Sequence, residues 1–84
     1  MKTHKLKIHP VYFNAIKDGK KNFEVRNNDR DFQLGDIVIL EEFNGSEYTG
    51  NVIRVKIKYI LDDNFEGLTK GYVVFAFTIL DYNC

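Results

Sequence analysis

Cysteine is almost absent from this sequence of 84 residues: its one Cys is the last residue, so no disulfide can form within the chain. Small secreted domains usually depend on disulfides for stability, and their absence favours a reducing, cytoplasmic environment. Lysines interrupt the N-terminus before the apolar core of a signal peptide could form. No apolar run approaches the ~20 residues of a membrane-spanning helix. We therefore expect a cytoplasmic protein without membrane association.

A surplus of charge is also absent, because 12 basic side chains balance 12 acidic ones. Tight, non-specific binding to DNA depends on an excess of Lys and Arg, so zero net charge argues against it. The charge is nevertheless uneven, with a basic segment over residues 1–26 and an acidic segment over residues 27–51. This segregation predicts either one basic face for a phosphate or a base, or two complementary surfaces that meet in the fold.

Metal ligands, activated nucleophiles and phosphate-binding loops are missing as well. His4 and His9 have no Cys or acidic residue at ligand spacing, so we predict no metal site. Cys84 has no neighbouring His in the sequence that would activate it as a nucleophile. No glycine-rich phosphate-binding loop is present. The sequence therefore predicts no cofactor.

One short helix is predicted over residues 10–18. Pro10 stands where a helix begins, since a proline at the first helical position loses no hydrogen bond. Phe13 and Ile16 are three residues apart and form one apolar stripe. Gly19 follows as the left-handed residue that ends the helix.

Five strands are predicted from apolar alternation and β-branched runs. They cover residues 4–8, 22–26, 37–40, 52–61 and 72–80. In the second strand, Phe23 and Val25 are predicted to face the core, and the third is predicted to be covered on both faces. This order predicts a mainly β (α+β) fold: a small closed or half-closed β-barrel of about five strands, with the helix capping one end. A hydrophobic content of 44% is enough for one core, so residues 1–84 are expected to form a single domain.

The longest predicted strand carries a basic row opposite its apolar residues. Its apolar positions Ile53, Val55, Ile57, Tyr59 and Leu61 alternate with Arg54, Lys56 and Lys58. The basic row either follows a nucleic-acid backbone or forms the solvent face of an edge strand, where Lys discourages aggregation. The second interpretation is favoured.

Glu24 and Arg26 are the first candidates for a functional site. A period of two places both on one face of the second strand, and Lys21 lies at the turn before it. A carboxylate beside a guanidinium can hydrogen-bond complementary edges of a nucleobase, and the Lys21 ammonium can swing over such a pocket. The alternative, which is more frequent for such a pattern, is an exposed ion pair on a solvated strand.

Two further segments carry candidate residues. Asp29 or Asp31 could orient Arg26 or Arg30 from the rim of a pocket, although a turn stabilised by Asn or Asp side chains has the same composition. Tyr48 and Thr49 offer an aromatic face and a hydroxyl for stacking a base. The alternative interpretation is that Tyr48 and Thr49 pack against side chains of a neighbouring strand.

The segment from Gly19 to Arg26 reads GKKNFEVR, which has the form G-x-K-x-x-E-x-R. The segment is followed by Asp29, Phe32, Gly35 and Asp36. With this combination the chain resembles the ASCH-type branch of the PUA-like superfamily, and more closely its small uncharacterised relatives in phages and bacteria. The resemblance covers nearly the whole chain. It implies a β-barrel surrounded by short helices, with a cleft beside the G-x-K-x-x-E-x-R segment.

The resemblance also implies a function, because this superfamily is associated with RNA binding, RNA modification and recognition of modified nucleosides. We therefore expect a module that binds RNA or a nucleotide in the cleft. The expected ligand-binding residues are Lys21, Glu24, Arg26, Asp29, Arg30, Tyr48 and Thr49.

Two alternatives accompany this expectation. One ASCH subgroup hydrolyses an acyl group from a modified cytidine with a Lys, a Thr and a late Glu. In this chain the Lys is kept as Lys21, but Glu24 stands at the Thr position, and the position of the late Glu lies near Phe75. Because two of the three catalytic groups are absent, the resemblance argues against this reaction. The only catalytic candidates left are Lys21 and Glu24. The other alternative is a phage or host accessory protein that acts through protein–protein contacts or as a homodimer. Its expected interface residues are Tyr48, Phe65 and Tyr82.

Overall fold

The computed structural model describes residues 1–83, so the expectation about Cys84 lies outside the described residues. The elements in chain order are β1 (Thr3–Ile8), α1 (Pro10–Lys17), β2 (Phe23–Asn27), β3 (Ile37–Phe43), β4 (Tyr48–Leu61) and β5 (Tyr72–Asn83). The predicted order of one strand, one helix and four strands is confirmed. None of the helical structure within residues 1–83 is long and apolar enough to cross a membrane.

The five strands form one sheet in the order β1-β3-β4-β5-β2. β1 runs parallel to β3, and every other neighbouring pair is antiparallel. The sheet curls into a half-barrel, so the mainly β fold is confirmed. β1 and β2 are the two edge strands, and α1 is the connection between them. The segment from Gly19 to Arg26 therefore lies at the opening of the half-barrel.

The core lies on the concave side of the sheet and is closed by α1. The helix contributes Phe13 and Ile16, both almost fully buried, as its apolar stripe predicted. Gly19 has a φ of +79° and follows the helix end, so the predicted left-handed stop is confirmed. The remaining core side chains come from the strands and one loop: Leu6, Ile8, Phe32, Val38, Leu40, Ile53, Val55, Ile57, Val73, Phe75 and Phe77.

The predicted orientation of β2 is wrong. Phe23 and Val25 are 41% and 49% exposed, whereas Glu24 between them is 4% exposed. The cause is the pairing with β5: Glu24 lies opposite Phe75, whose side chain faces the core, so Glu24 faces the core as well. Phe23 lies opposite Ala76 and faces outwards.

Two predictions about the central strands also need correction. β3 is covered on one face only, since Ile37 and Ile39 are half-buried. β4 lies between β3 and β5, so its basic row is indeed exposed but does not mark an edge strand. A bulge between Ile57 and Tyr59 reverses the alternation, and Tyr59 is 62% exposed instead of continuing the apolar face.

A buried carboxylate fixes the start of β1 against the loop before β3. Asp36 is 1% exposed; its Oδ1 accepts from the backbone N–H of Lys2 at 3.0 Å, and its Oδ2 accepts from the backbone N–H of Gln33 at 3.1 Å. His4 Nε2 lies 2.8 Å from the same Oδ2. Burial raises the pKa of Asp36, but the hydrogen bonds from Lys2, His4 and Gln33 outweigh it, and the net pKa is below its ordinary value.

Candidate ligand-binding cleft

Glu24 is the centre of a buried charge cluster on β2. Its Oε1 accepts a hydrogen bond from the Lys21 ammonium, and its Oε2 accepts one from Arg26 Nε at 2.9 Å. A buried carboxylate is costly unless cations and hydrogen-bond donors compensate its charge. Here the two cations are Lys21, from the turn before β2, and Arg26, which lies two residues after Glu24 on the same strand. The cluster is therefore largely enclosed, and the side chain of Arg26 is its most exposed member at 27%.

Arg26 also reaches across the opening of the half-barrel. Its Nη2 donates to the backbone carbonyl of Lys7 on β1 at 2.8 Å. β1 and β2 are not paired with each other in the sheet. One side chain therefore ties the two edge strands together while it compensates the charge of Glu24.

Lys21 is held by aromatic rings as well as by the carboxylate. Its Nζ lies 4.9 Å from the ring centroid of Tyr12 on α1 and 5.4 Å from that of Phe23 on β2. Cations at such distances are attracted to the faces of aromatic rings. The prediction of a flexible ammonium is wrong for this position, since the Lys21 side chain is only 17% exposed.

These side chains line one cleft of about 570 Å³, the Arg26 cleft. Its walls are largely apolar, and its charged groups are Lys7 and the cluster around Glu24. The lining residues are Lys7, Ile8, His9, Tyr12, Lys21, Phe23, Glu24, Val25 and Arg26. An aromatic wall next to a charged floor suits a planar ligand with a polar edge.

A second depression, the basic groove, opens on the other side of Arg26 and measures about 530 Å³. It is lined by Lys5, Leu6, Lys7, Arg26, Arg30, Glu41 and Tyr48. A third, smaller depression of about 200 Å³ contains Asp29 beside Arg26 and Arg30. All three adjoin Arg26. Six of the seven expected ligand-binding residues therefore lie around one arginine: Lys21, Glu24, Arg26, Asp29, Arg30 and Tyr48.

Thr49 is the expected residue that the structure places elsewhere. It does not line any of the three depressions around Arg26. Its Oγ1 donates to Glu42 Oε1 at 2.7 Å, and Asn51 Nδ2 donates to the same oxygen at 3.0 Å. The hydroxyl is thus engaged in compensating a carboxylate that is 7% exposed.

The segment after β2 is ordered by turn hydrogen bonds. Asn28 Oδ1 accepts from the backbone N–H of Phe32 at 2.9 Å. Asp31 Oδ2 lies 3.9 Å from Lys2 Nζ, and Asp31 Oδ1 accepts from the Gln33 side chain. The structure, as far as residue 83, pairs neither Asp29 nor Asp31 with an arginine. The interpretation of this segment as a turn is the one that the contacts support.

Sequence reasoning missed Lys5, Lys7 and Tyr12 as lining residues. The two lysines were interpreted only as the polar side of a first strand, because nothing local indicates that β1 lies next to Arg26. Tyr12 carried a signal, since it stands beside the apolar stripe of the helix and is 54% exposed. An exposed aromatic residue one position from a buried helix face indicates a wall of a cleft.

The residues of the two alternative functions are also placed. Phe75, near the position of the late Glu in the acyl-hydrolysing subgroup, is fully buried in the core opposite Glu24. Tyr48, Phe65 and Tyr82 are each about half exposed. Tyr48 begins β4, Phe65 lies in the loop between β4 and β5, and Tyr82 lies on β5 opposite Ile53. Within residues 1–83, no three His, Asp or Glu side chains are grouped as metal ligands.

The sequence matches a family model and a phage protein. A family model described as Domain of unknown function (DUF3850) matches residues 3–77. The uncharacterized 12.9 kDa protein in the GpA 3'region of Escherichia phage P2 is 36% identical over 61 residues, which make up 73% of this chain and 56% of that protein. The chain thus spans little more than half the length of this relative.

A solved structure shares the fold. The crystal structure of hypothetical protein PH0355 has a TM-score of 0.64 and 22% identity to this chain. The match covers 95% of this chain and 100% of that one. The likeness extends over nearly the whole half-barrel.

Proposed function

We propose that this chain, which belongs to the DUF3850 family, is a binding module for a nucleotide or single-stranded RNA whose base enters the Arg26 cleft. The observation that carries the proposal is the combination of an aromatic wall at Tyr12 and Phe23 with the charged floor at Glu24. A nucleobase has a face that stacks on aromatic rings and an edge that exchanges hydrogen bonds. The cleft offers partners for both.

The polar groups of the cleft retain capacity for a ligand. Arg26 has five N–H donors, and its described hydrogen bonds use only Nε and Nη2. Further N–H groups can donate to a carbonyl oxygen of a base. Glu24 accepts one bond at each oxygen, so each oxygen has a second lone pair for an exocyclic amine. Discrimination between bases then depends on which edge meets this donor and acceptor pair.

Membership in the ASCH branch of the PUA-like superfamily is part of the proposal. What supports it is that Lys21, Glu24 and Arg26 of the G-x-K-x-x-E-x-R segment meet in one cleft at the opening of a half-barrel. The superfamily's association with RNA and modified nucleosides agrees with a site of this size and polarity.

An NMR titration with the four common ribonucleosides, their monophosphates and short single-stranded RNAs tests the proposal. We expect chemical-shift changes around Tyr12, Lys21, Glu24 and Arg26, and loss of these changes in Arg26→Ala. Arg54→Ala is the matched control, because Arg54 also pairs with a carboxylate but lies outside the described depressions. Flat spectra across the panel, or equal binding by Arg26→Ala and the parent, would overturn the proposal.

A second candidate function is an accessory protein that acts through protein contacts, and the outer face of the sheet favours it. Tyr59 and Tyr72, and at the rim of the Arg26 cleft Phe23 and Val25, are all more than a third exposed there. Contiguous exposed apolar side chains often mark interaction surfaces. Sedimentation analysis of the parent and of Tyr59→Ser tests self-association through this face. A monomer at all concentrations would remove the homodimer.

A further inference from the structure

The basic groove gathers cations from separate parts of the chain. Lys5 and Lys7 are exposed on alternate positions of β1, whereas Arg30 follows β2 and is exposed as well. These segments are distant in sequence but line one groove of about 530 Å³. Glu41 is the one carboxylate among the lining residues, and it lies opposite Lys7 in the register of β1 and β3. The groove therefore has a local excess of positive charge in a chain whose net charge is zero.

Three of these cations have no carboxylate partner. In the part of the chain that the structure describes, Lys5, Lys7 and Arg30 make no ion pair with an N···O distance of 4.0 Å or less. Three other basic side chains near the two edge strands, Lys2, Lys21 and Arg26, are each paired with an acidic residue. Unpaired cations that converge on a concave surface attract an anion more strongly than the same cations on a flat surface.

A phosphate is better placed in this groove than in the Arg26 cleft. Lys21 and Arg26 are already engaged with Glu24, and the carboxylate of Glu24 would repel a phosphate on the floor of the cleft. In the basic groove no buried carboxylate opposes the anion. Tyr48, which is half exposed there, adds a hydroxyl that can donate to a phosphate oxygen.

The cleft and the groove are continuous at two residues. Lys7 and Arg26 line both depressions. The Lys7 ammonium lies 5.8 Å from the ring centroid of Tyr48, which lines the groove, and 4.5 Å from that of Phe43. A ligand that fills the cleft with its base can therefore extend past Arg26 into the groove.

We infer that the basic groove is a phosphate subsite. The ligand class is then a phosphorylated nucleotide or an RNA strand, with its base in the Arg26 cleft and its phosphate between Lys5, Lys7 and Arg30. This inference rests on the proposed function and adds a site for the phosphate group, which a nucleoside lacks. Charge-assisted hydrogen bonds from Lys and Arg are the strong contacts that a phosphate receives from proteins.

The experiment compares each nucleoside with its own phosphates. Adenosine, cytidine, guanosine, uridine and their 5′- and 3′-monophosphates are titrated into the parent and into Lys5→Gln/Arg30→Gln at low ionic strength. We expect one monophosphate to bind the parent about tenfold more tightly than its nucleoside. In the double variant this ratio falls towards one, while the affinity for the nucleoside is unchanged. Both substituted side chains are exposed, so the variant retains the fold.

Arg54→Gln/Lys56→Gln is the control, because it removes the same charge from the outer face of β4. We expect it to keep the preference for the monophosphate. An equal loss of this preference in the control, or equal binding of nucleoside and monophosphate by the parent, overturns the phosphate subsite and leaves the proposed function standing. If no nucleoside and no monophosphate binds, the phosphate subsite is overturned, and the proposed function fails with it when the short RNAs of the NMR panel also give flat spectra.

Discussion

Arg26 on β2 donates from Nη2 to the backbone carbonyl of Lys7 on β1 at 2.8 Å, so a single side chain joins the two edges of the sheet. The same guanidinium donates from Nε to Glu24. β2 has only five residues and pairs with β5 alone. The contact with Lys7 therefore contributes to closing the half-barrel, and it also fixes the position of the guanidinium between the Arg26 cleft and the basic groove.

Arg26→Ala is expected to lose both binding and stability. Removing the guanidinium leaves the buried carboxylate of Glu24 with one cation and removes the bond to Lys7, which lowers the free energy of unfolding by about 1–3 kcal/mol. Arg26→Lys is expected to lose less stability, because an ammonium still compensates the carboxylate but cannot reproduce the planar fork. Urea unfolding of both variants measures the difference. Equal stability of parent and Arg26→Ala would show that the bond to Lys7 does not hold the edges together.

Tyr12 offers a test of the cleft with little effect on the fold, since its side chain is 54% exposed. If a base stacks on this ring, Tyr12→Ala weakens binding by about 1–3 kcal/mol, whereas Tyr12→Phe retains most of the affinity. Calorimetric titration with the ligand that binds the parent best measures both. Tyr59→Ala, which removes a similarly exposed ring from the outer face, is the control and is expected to bind normally. Unchanged binding by Tyr12→Ala would place the base elsewhere.

The features that follow from local chemistry could be predicted from the sequence. Pro10 and Gly19 determine where α1 begins and ends, because a proline suits the first helical position and a glycine adopts positive φ at little cost. Apolar alternation and β-branched runs likewise predicted the five strands. The G-x-K-x-x-E-x-R segment identified Lys21, Glu24 and Arg26, which do meet in one cleft.

The features that depend on distant pairing could not be predicted in this way. An apolar side chain is normally expected to face the core, but in β2 the core side is occupied by Glu24 because Lys21 and Arg26 compensate its charge. The pairing of β2 with β5 then leaves Phe23 exposed. Lys5 was likewise not predicted to line the basic groove, because its place there depends on which strand edges approach each other in space.

Phe75 provides a test of whether the core accepts a second carboxylate next to Glu24. Its ring is fully buried and lies opposite Glu24. We expect Phe75→Glu to bury a second carboxylate beside the first and to destabilise the protein by more than about 3 kcal/mol. Phe75→Leu, which retains an apolar side chain, is the control and is expected to remain folded. Urea unfolding measures both variants, and a Phe75→Glu protein as stable as the parent would contradict the cost expected for a second buried carboxylate.

Asp36 predicts a specific dependence of stability on pH. Its pKa in the folded protein lies below the ordinary value of 3.8, because the hydrogen bonds from Lys2, His4 and Gln33 outweigh the effect of burial. The unfolded chain therefore binds more protons between these two pKa values. The contribution of Asp36 to stability is complete above about pH 4 to 5 and is lost as the pH falls through the folded pKa.

Asp36→Asn is expected to be less stable than the parent at pH 7 by about 1–3 kcal/mol, since an amide has one acceptor oxygen where the carboxylate uses two. The difference should narrow below about pH 4, where the parent loses the same contribution. Asp81→Asn is the control: its pair with Arg54 is exposed, so its effect should be small and should weaken with added salt. Urea unfolding between pH 3 and 7 measures all three proteins. A constant difference between the parent and Asp36→Asn over this range would contradict a lowered pKa for Asp36.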